Sequence, residues 1–165
     1  MMEIKEVVKV GIADMNVCKS PSTIRTSGLG SCVGVIIYDE ERQICGLAHV
    51  MLPESSLSRN GTINIAKYAD TAVKELVNMV VKAGARASYL KAKIAGGAQM
   101  FQFSSTSDTM RIGPRNVEAV KNELRKLNIR IISEDCGGNS GRTIEFDPAK
   151  STLQIRTVNK GIHDI

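Results

Sequence analysis

Apolar and polar residues are not evenly mixed along the chain, and their pattern changes period several times. Residues 4–12, "IKEVVKVGI", are rich in β-branched side chains and predict a strand. Residues 32–38, "CVGVIIY", form a nearly unbroken apolar run, as expected of a buried strand. "DEERQ" follows as a polar turn, and "ICGLAHVML" at 44–52 reads as a second strand closing at Pro53. Together they predict an antiparallel hairpin. "PESSLSRNGT" is a loop. The period then shifts: Ile65, Ala69, Ala72, Val73, Leu76, Val77, Val80 and Val81 recur at three and four, predicting an amphipathic helix over 64–83. Asn64 suits its N-cap and Gly84 its stop.

"LKAKIAGGAQMF" reads as a strand ending in a glycine loop. A second helix is predicted over 114–127, with Val117, Val120, Leu124 and Leu127 on one stripe and Pro114 in its first turn. "IRIISED" predicts a strand, "CGGNSGR" a loop, and "RTIEFDPAKSTLQIRTV" a hairpin turning at "DPAK". The stretch "NVCKSPST" reads as a loop. Strands outnumber helices and often adjoin in sequence. The expected fold is α+β: a sandwich of mixed or antiparallel sheet flanked by helices, in a single domain over 1–165.

Composition narrows the function classes. The hydrophobic share is 42% and the charged share 24%, as in ordinary globular proteins. No apolar run approaches the roughly 18 residues of a membrane span. "MMEIKEVVKV" lacks an apolar signal core, so the expected location is the cytoplasm, without membrane insertion. A formal net charge of +5 favours an acidic partner. With only three Tyr, three Phe and no Trp, and no dense basic stripe, an acidic protein surface fits at least as well as nucleic acid. Four cysteines (Cys18, Cys32, Cys45, Cys136) form no C-x-x-C pair, and the two histidines stand far apart. Neither a structural zinc site nor a cofactor is expected.

The chemistry centres on "TSGLGSC" at 26–32. Cys32 follows Gly28 and Gly30, where backbone N–H groups can turn inward, and stands at a loop-to-strand junction. A thiol there has the setting of a nucleophile beside oxyanion donors, with Gly30 and Ser31 in the turn. Its ordinary explanation is a small buried hydrophobe. His49 interrupts the apolar strand "GLAHVMLP", where a buried polar ring needs a partner. The hairpin brings the start of one strand beside the end of the next, at about 5 Å, and so unites Cys32 with His49. Cys45, four residues from His49 along one strand, is too distant for proton transfer and reads as core. His163 lies near the terminus, where chains fray.

A second constellation is Cys136 to Thr143, "CGGNSGRT", which has the C-x5-R-[ST] spacing of a phosphate cradle. Such a cradle needs a helix aimed at the anion, and "RTIEFDP" reads as a strand. "GLGSCVG" has the wrong glycine spacing for a dinucleotide fingerprint.

Six motifs in order, "TSGLGSC" (26–32), "AHVMLP" (48–53), "KYADTAV" (67–73), "AKIAGGAQMF" (92–101), "RNVEAVK" (115–121) and "EDCGGNSGR" (134–142), resemble CheD, the chemoreceptor glutamine deamidase family. The resemblance covers about residues 5–158. It implies a Cys–His–Thr triad falling on Cys32, His49 and Thr26. To spacing alone, Thr26 and Ser27 are equal candidates for the hydroxyl that fixes the His49 tautomer. It further implies a protein-glutamine glutaminase without cofactor, acting on methyl-accepting chemotaxis receptors through a thioester, with glutamate methyl esters as a further substrate. The implied second partner is a CheC-type response-regulator phosphatase. Met100 and Phe101, after two glycines, are candidate apolar anchors for a partner. The alternatives are a binding module that regulates receptors and phosphatase, and a C-x5-R cysteine phosphatase.

Overall fold

A computed structural model of the chain describes residues 5–58, 61–100 and 111–165. Two five-stranded mixed sheets stack face to face. The first runs in the order β1 (Val7–Lys9), β3 (Thr23–Leu29), β8 (Arg142–Asp147), β9 (Thr152–Thr157), β10 (Gly161–Asp164). The second runs β2 (Met15–Lys19), β5 (Ile44–Val50), β4 (Val33–Asp39), β6 (Lys91–Gly96), β7 (Arg130–Cys136). The pairs β1–β3 and β6–β7 are parallel, and the remaining pairs are antiparallel. Helices α1 (Ala69–Lys82) and α2 (Ile112–Lys126) pack on the outer face of the second sheet. The layers are therefore helix, sheet, sheet.

This layering explains the unbroken apolar run of β4. Val33, Val35 and Ile37 join the core beneath the helices, while Ile36 and Tyr38 point into the layer between the sheets. A central strand covered on both faces has no polar side. The inter-sheet layer contains Ile24, Leu29, Leu47, Ile144, Phe146, Leu153 and Ile155, each fully buried. Burying each such side chain contributes roughly 1.5–3 kcal/mol.

Three features differ from the sequence reading. Residues of "NVCKSPST" form β2 and the start of β3 rather than a loop; Cys18 pairs directly with Cys45 across β2 and β5. The helix expected over 64–83 is broken at Tyr68, whose extended backbone bridges Leu52. Only a 3-10 turn, Ile65–Lys67, precedes the break. The C-terminus does not fray: β10 pairs with β9, and the His163 imidazole lies 2.7 Å from Asp135.

Candidate active site

The segment 30–32 links the two sheets. Leu29 ends β3 in the first sheet and Val33 opens β4 in the second, so three residues carry the chain across the inter-sheet layer. Gly28 takes φ +72°, a left-handed conformation that glycine adopts without penalty. The Gly30 amide donates to the Gly28 carbonyl at 3.1 Å, which closes the turn. The Gly30 carbonyl accepts from Ala98 N–H, and that of Cys32 from Gly97 N–H. The glycine turn thus delivers Cys32 to the rim of the inter-sheet layer.

Strand register places the imidazole beside it. His49 on β5 stands directly opposite Gly34 on β4. Cys32, two residues before Gly34, shares that face by the two-residue period of a strand, so it neighbours His49 diagonally. Gly34 lets the facing sheet approach closely: Ile144 Cδ1 stands 2.6 Å from where a Cβ would lie. Cys32 is half-buried, and His49 is fully buried.

Thr26 reaches across from the other sheet. On β3, Ile24 and Thr26 point inward while Arg25 and Ser27 face solvent. The alternation therefore separates the two hydroxyls that spacing alone could not. Thr26 Oγ1 lies 2.8 Å from His49 Nδ1 and 2.7 Å from the Val10 carbonyl oxygen. A carbonyl can only accept, so the Thr26 hydroxyl donates its proton to Val10. Its lone pair is left to accept from Nδ1–H of His49. A neutral imidazole with Nδ1 protonated carries its lone pair on Nε2. His49 Nε2 is buried and has no partner among the described residues.

Burial sets the charge state. It pushes the Cys32 thiol up, outweighing the opposing effect of its own backbone N–H. It also pushes His49 down. Both effects favour a neutral thiol beside a neutral imidazole, rather than an ion pair.

The sequence reading did not single out Asn116. It lies on α2 with no exposed surface, and its Nδ2 donates to the carbonyls of Ser31 at 3.0 Å and Met51 at 2.8 Å. A signal was available, because Asn116 occupies the same stripe as Val120 and Leu124, where a polar residue needs a reason.

The other candidates lie apart from this cluster. Cys45 is buried with its sulfur 3.5 Å from that of Cys18. Cys136 ends β7, and burial, with Glu134 next, pushes its thiol up to about 12. Arg142 is bound by Asp135 at 3.0 Å and by the Gly137 carbonyl at 2.9 Å, and it opens strand β8 rather than a helix. A phosphate cradle would need a thiolate, a free guanidinium and a helix N-terminus, and none stands there. Met100 is 45% exposed and lies over Gly30, whose built Cβ would come within 3.3 Å of its Cγ. Phe101 falls outside the described residues. Among the described residues no three His, Cys, Asp or Glu side chains are grouped to hold a metal ion. No helix among them is long and apolar enough to cross a membrane.

The chain matches the family model described as CheD chemotactic sensory transduction over residues 51–157. It is 60% identical over 155 residues to the chemoreceptor glutamine deamidase CheD of Bacillus subtilis, covering 94% of this chain and 93% of that one. It is 58% identical over 165 residues to the probable chemoreceptor glutamine deamidase CheD of Geobacillus kaustophilus, covering 99% of this chain and 100% of the relative. The chain belongs to the CheD family. The match to the family model starts after Thr26, Cys32 and His49, whereas the alignment with the Geobacillus protein runs through all three. The helix carrying Asn116 lies inside both.

Proposed function

We propose that this CheD-family chain deamidates glutamine side chains of chemoreceptors, with Cys32 as nucleophile, His49 as base and acid, and Thr26 as the group that orients His49. The observation that carries the reading is the directed chain of hydrogen bonds from His49 through Thr26 to Val10. It leaves the Nε2 lone pair of His49 as a base on the strand face it shares with Cys32.

His49 Nε2 takes the Cys32 proton as Sγ bonds to the carboxamide carbon of the substrate glutamine. The C=O electrons move onto oxygen. With the Gly30 amide engaged by Gly28, the N–H groups of Ser31 and Cys32 serve as oxyanion donors, Gly30 shaping the turn. Collapse of the tetrahedral adduct breaks the C–N bond, and His49 returns the proton to departing ammonia. Water, deprotonated by the same nitrogen, then attacks the thioester and releases glutamate and the thiol. The methyl ester of glutamate presents the same carbonyl with methanol as leaving group, so ester hydrolysis belongs to the same reading.

The place of action is the cytoplasm. The excess of basic residues suits a glutamate-bearing receptor surface. A CheC-type phosphatase is the second partner, with the exposed Met100 and its neighbour Phe101 as the apolar anchor. Phe101→Ala weakens binding to a partner on this reading. The test of function is mass spectrometry of a chemoreceptor cytoplasmic fragment incubated with wild type or Cys32→Ala. A gain of about one mass unit per modified glutamine, seen only with wild type, is the result required of a thioester route. Equal gain with Cys32→Ala removes the reading. A chain acting chiefly as a binding module would keep its cellular effect in that variant.

A further inference from the structure

The β4–β5 ladder holds His49 opposite Gly34 but stops one residue short of Cys32. The β4–β5 register ends at Val33 opposite Val50. Beyond it, the Ser31 and Met51 carbonyls turn toward α2, and both are met by one side chain: Asn116 Nδ2 donates one N–H to each, at 3.0 and 2.8 Å. Ser31 immediately precedes Cys32, and Met51 is two residues beyond His49. A primary amide carries two donors on one planar nitrogen, so a single rigid group bridges the two backbones.

The helix presenting that group is itself fixed against the site. Gly113, one turn before Asn116, packs so closely that a Cβ would lie 2.3 Å from the Ala98 carbonyl oxygen and 2.6 Å from that of Gly97. Gly97 and Ala98 in turn hydrogen-bond to the Cys32 and Gly30 carbonyls. The helix is thus seated on the segment that borders the nucleophile turn. Asn116 Oδ1 is buried without a partner among the described residues, so the side chain accepts an unmet acceptor while its nitrogen makes both bonds. An apolar residue at this buried position would leave the Ser31 and Met51 carbonyls without their donor.

We propose that Asn116 is a positioning residue for the reaction, clamping the Cys32 turn to the His49 strand and so limiting how far Sγ must move to meet Nε2. The inference rests on the Cys32–His49 reading. Its mechanistic consequence is specific: loosening the clamp misplaces the reacting atoms without removing any group that contacts the receptor surface. A displacement of about 1 Å is enough to cost two orders of magnitude in rate.

The experiment compares wild type, Asn116→Asp, Val120→Ala and Cys32→Ala on a chemoreceptor cytoplasmic fragment, with kcat and KM for ammonia release and a thermal melt for each. Asn116→Asp keeps the shape but replaces both donors with acceptors. Val120→Ala destabilises the same buried stripe without touching either carbonyl. The expected result is a fall of about 10- to 100-fold in kcat for Asn116→Asp with KM within about threefold of wild type. Val120→Ala, at a temperature where it is folded, retains kcat within about threefold. If Asn116→Asp does not fold, Asn116→Ala, which leaves no repulsive charge, is read by the same criteria. A folded Asn116 variant with wild-type kcat, or a Val120→Ala that loses kcat as heavily, overturns the proposal. An active Cys32→Ala would instead overturn the underlying reading, so the two failures are distinguishable.

Discussion

Replacing Thr26 by valine keeps volume and β-branching and removes only the hydroxyl. In the folded chain that hydroxyl makes two short bonds, 2.8 Å to His49 Nδ1 and 2.7 Å to the Val10 carbonyl, and Thr26 is 2% exposed. The variant turns a methyl group toward both partners. Each buried polar group left unmet costs about 1–3 kcal/mol, so with two such groups a loss of roughly 2–6 kcal/mol in stability is expected. The kinetic effect has a separate origin. Without an acceptor at Nδ1, the bond that held the proton on that nitrogen is gone, and protonation at Nε2, which blocks the base, competes with it. Restoring the productive tautomer costs about one unmet hydrogen bond, which corresponds to roughly a 10- to 100-fold loss in kcat. The assay is ammonia release from a chemoreceptor fragment, run below the variant's melting temperature, with Thr26→Ser as the control that returns the hydroxyl. A folded Thr26→Val enzyme with kcat within about threefold of wild type would refute the tautomer argument.

Four further expectations follow from the structure. His49 is pushed below 6.5 by burial, and Cys32 above 9. The acid limb of kcat/KM therefore falls below pH 6.5 and the basic limb above pH 9, which a pH–rate profile checks; a limb near pH 7.5 contradicts it. The sign for stability follows from the same depression. Below pH 6.5 the unfolded chain binds a proton at His49 that the folded chain refuses, so stability declines as pH falls toward the folded-state value. That dependence should be absent from the melting curves of His49→Gln. Gly34→Ala puts a Cβ 2.6 Å from Ile144 Cδ1 and should destabilise by about 1–3 kcal/mol, with partial relief when combined with Ile144→Val; additive effects would contradict the contact. Asp39 is buried, and the Arg86 guanidinium grips both of its oxygens at 2.9 Å, holding its carboxyl well below the usual carboxylate range. Its contribution is present above the unfolded pKa and lost as pH falls through the folded one. Arg86→Ala should therefore move the acid-unfolding midpoint upward.

The elements that were legible in the sequence are those whose burial pattern is strong. The β4–β5 hairpin shows as two apolar runs because both strands are covered on both faces, and it alone brings Cys32 and His49 to neighbouring strands. Strand β2 escaped because it is an edge strand with only Cys18 buried, followed after Ser20 by Pro21. Strand β10 escaped because all four of its residues are exposed, so only backbone pairing to β9 defines it. The helix break at Tyr68 depends on a bridge to Leu52, a long-range contact that no local period encodes. Thr26 would have separated from Ser27 had residues 23–29 been read as a strand, since alternation then turns Thr26 inward with Ile24. Asn116 needed the sheet as well as the helix, because its two partners are backbone carbonyls from separate segments.

The account turns on a covalent acyl group carried by Cys32, which hydroxylamine can intercept. Incubating the enzyme with a chemoreceptor fragment and hydroxylamine should convert the same glutamines to hydroxamates, a gain of about 16 mass units, in competition with glutamate formation. The hydroxamate share should rise with hydroxylamine concentration and vanish in Cys32→Ala. Glutamate as the only product at every hydroxylamine concentration, formed at an undiminished rate, would contradict the account.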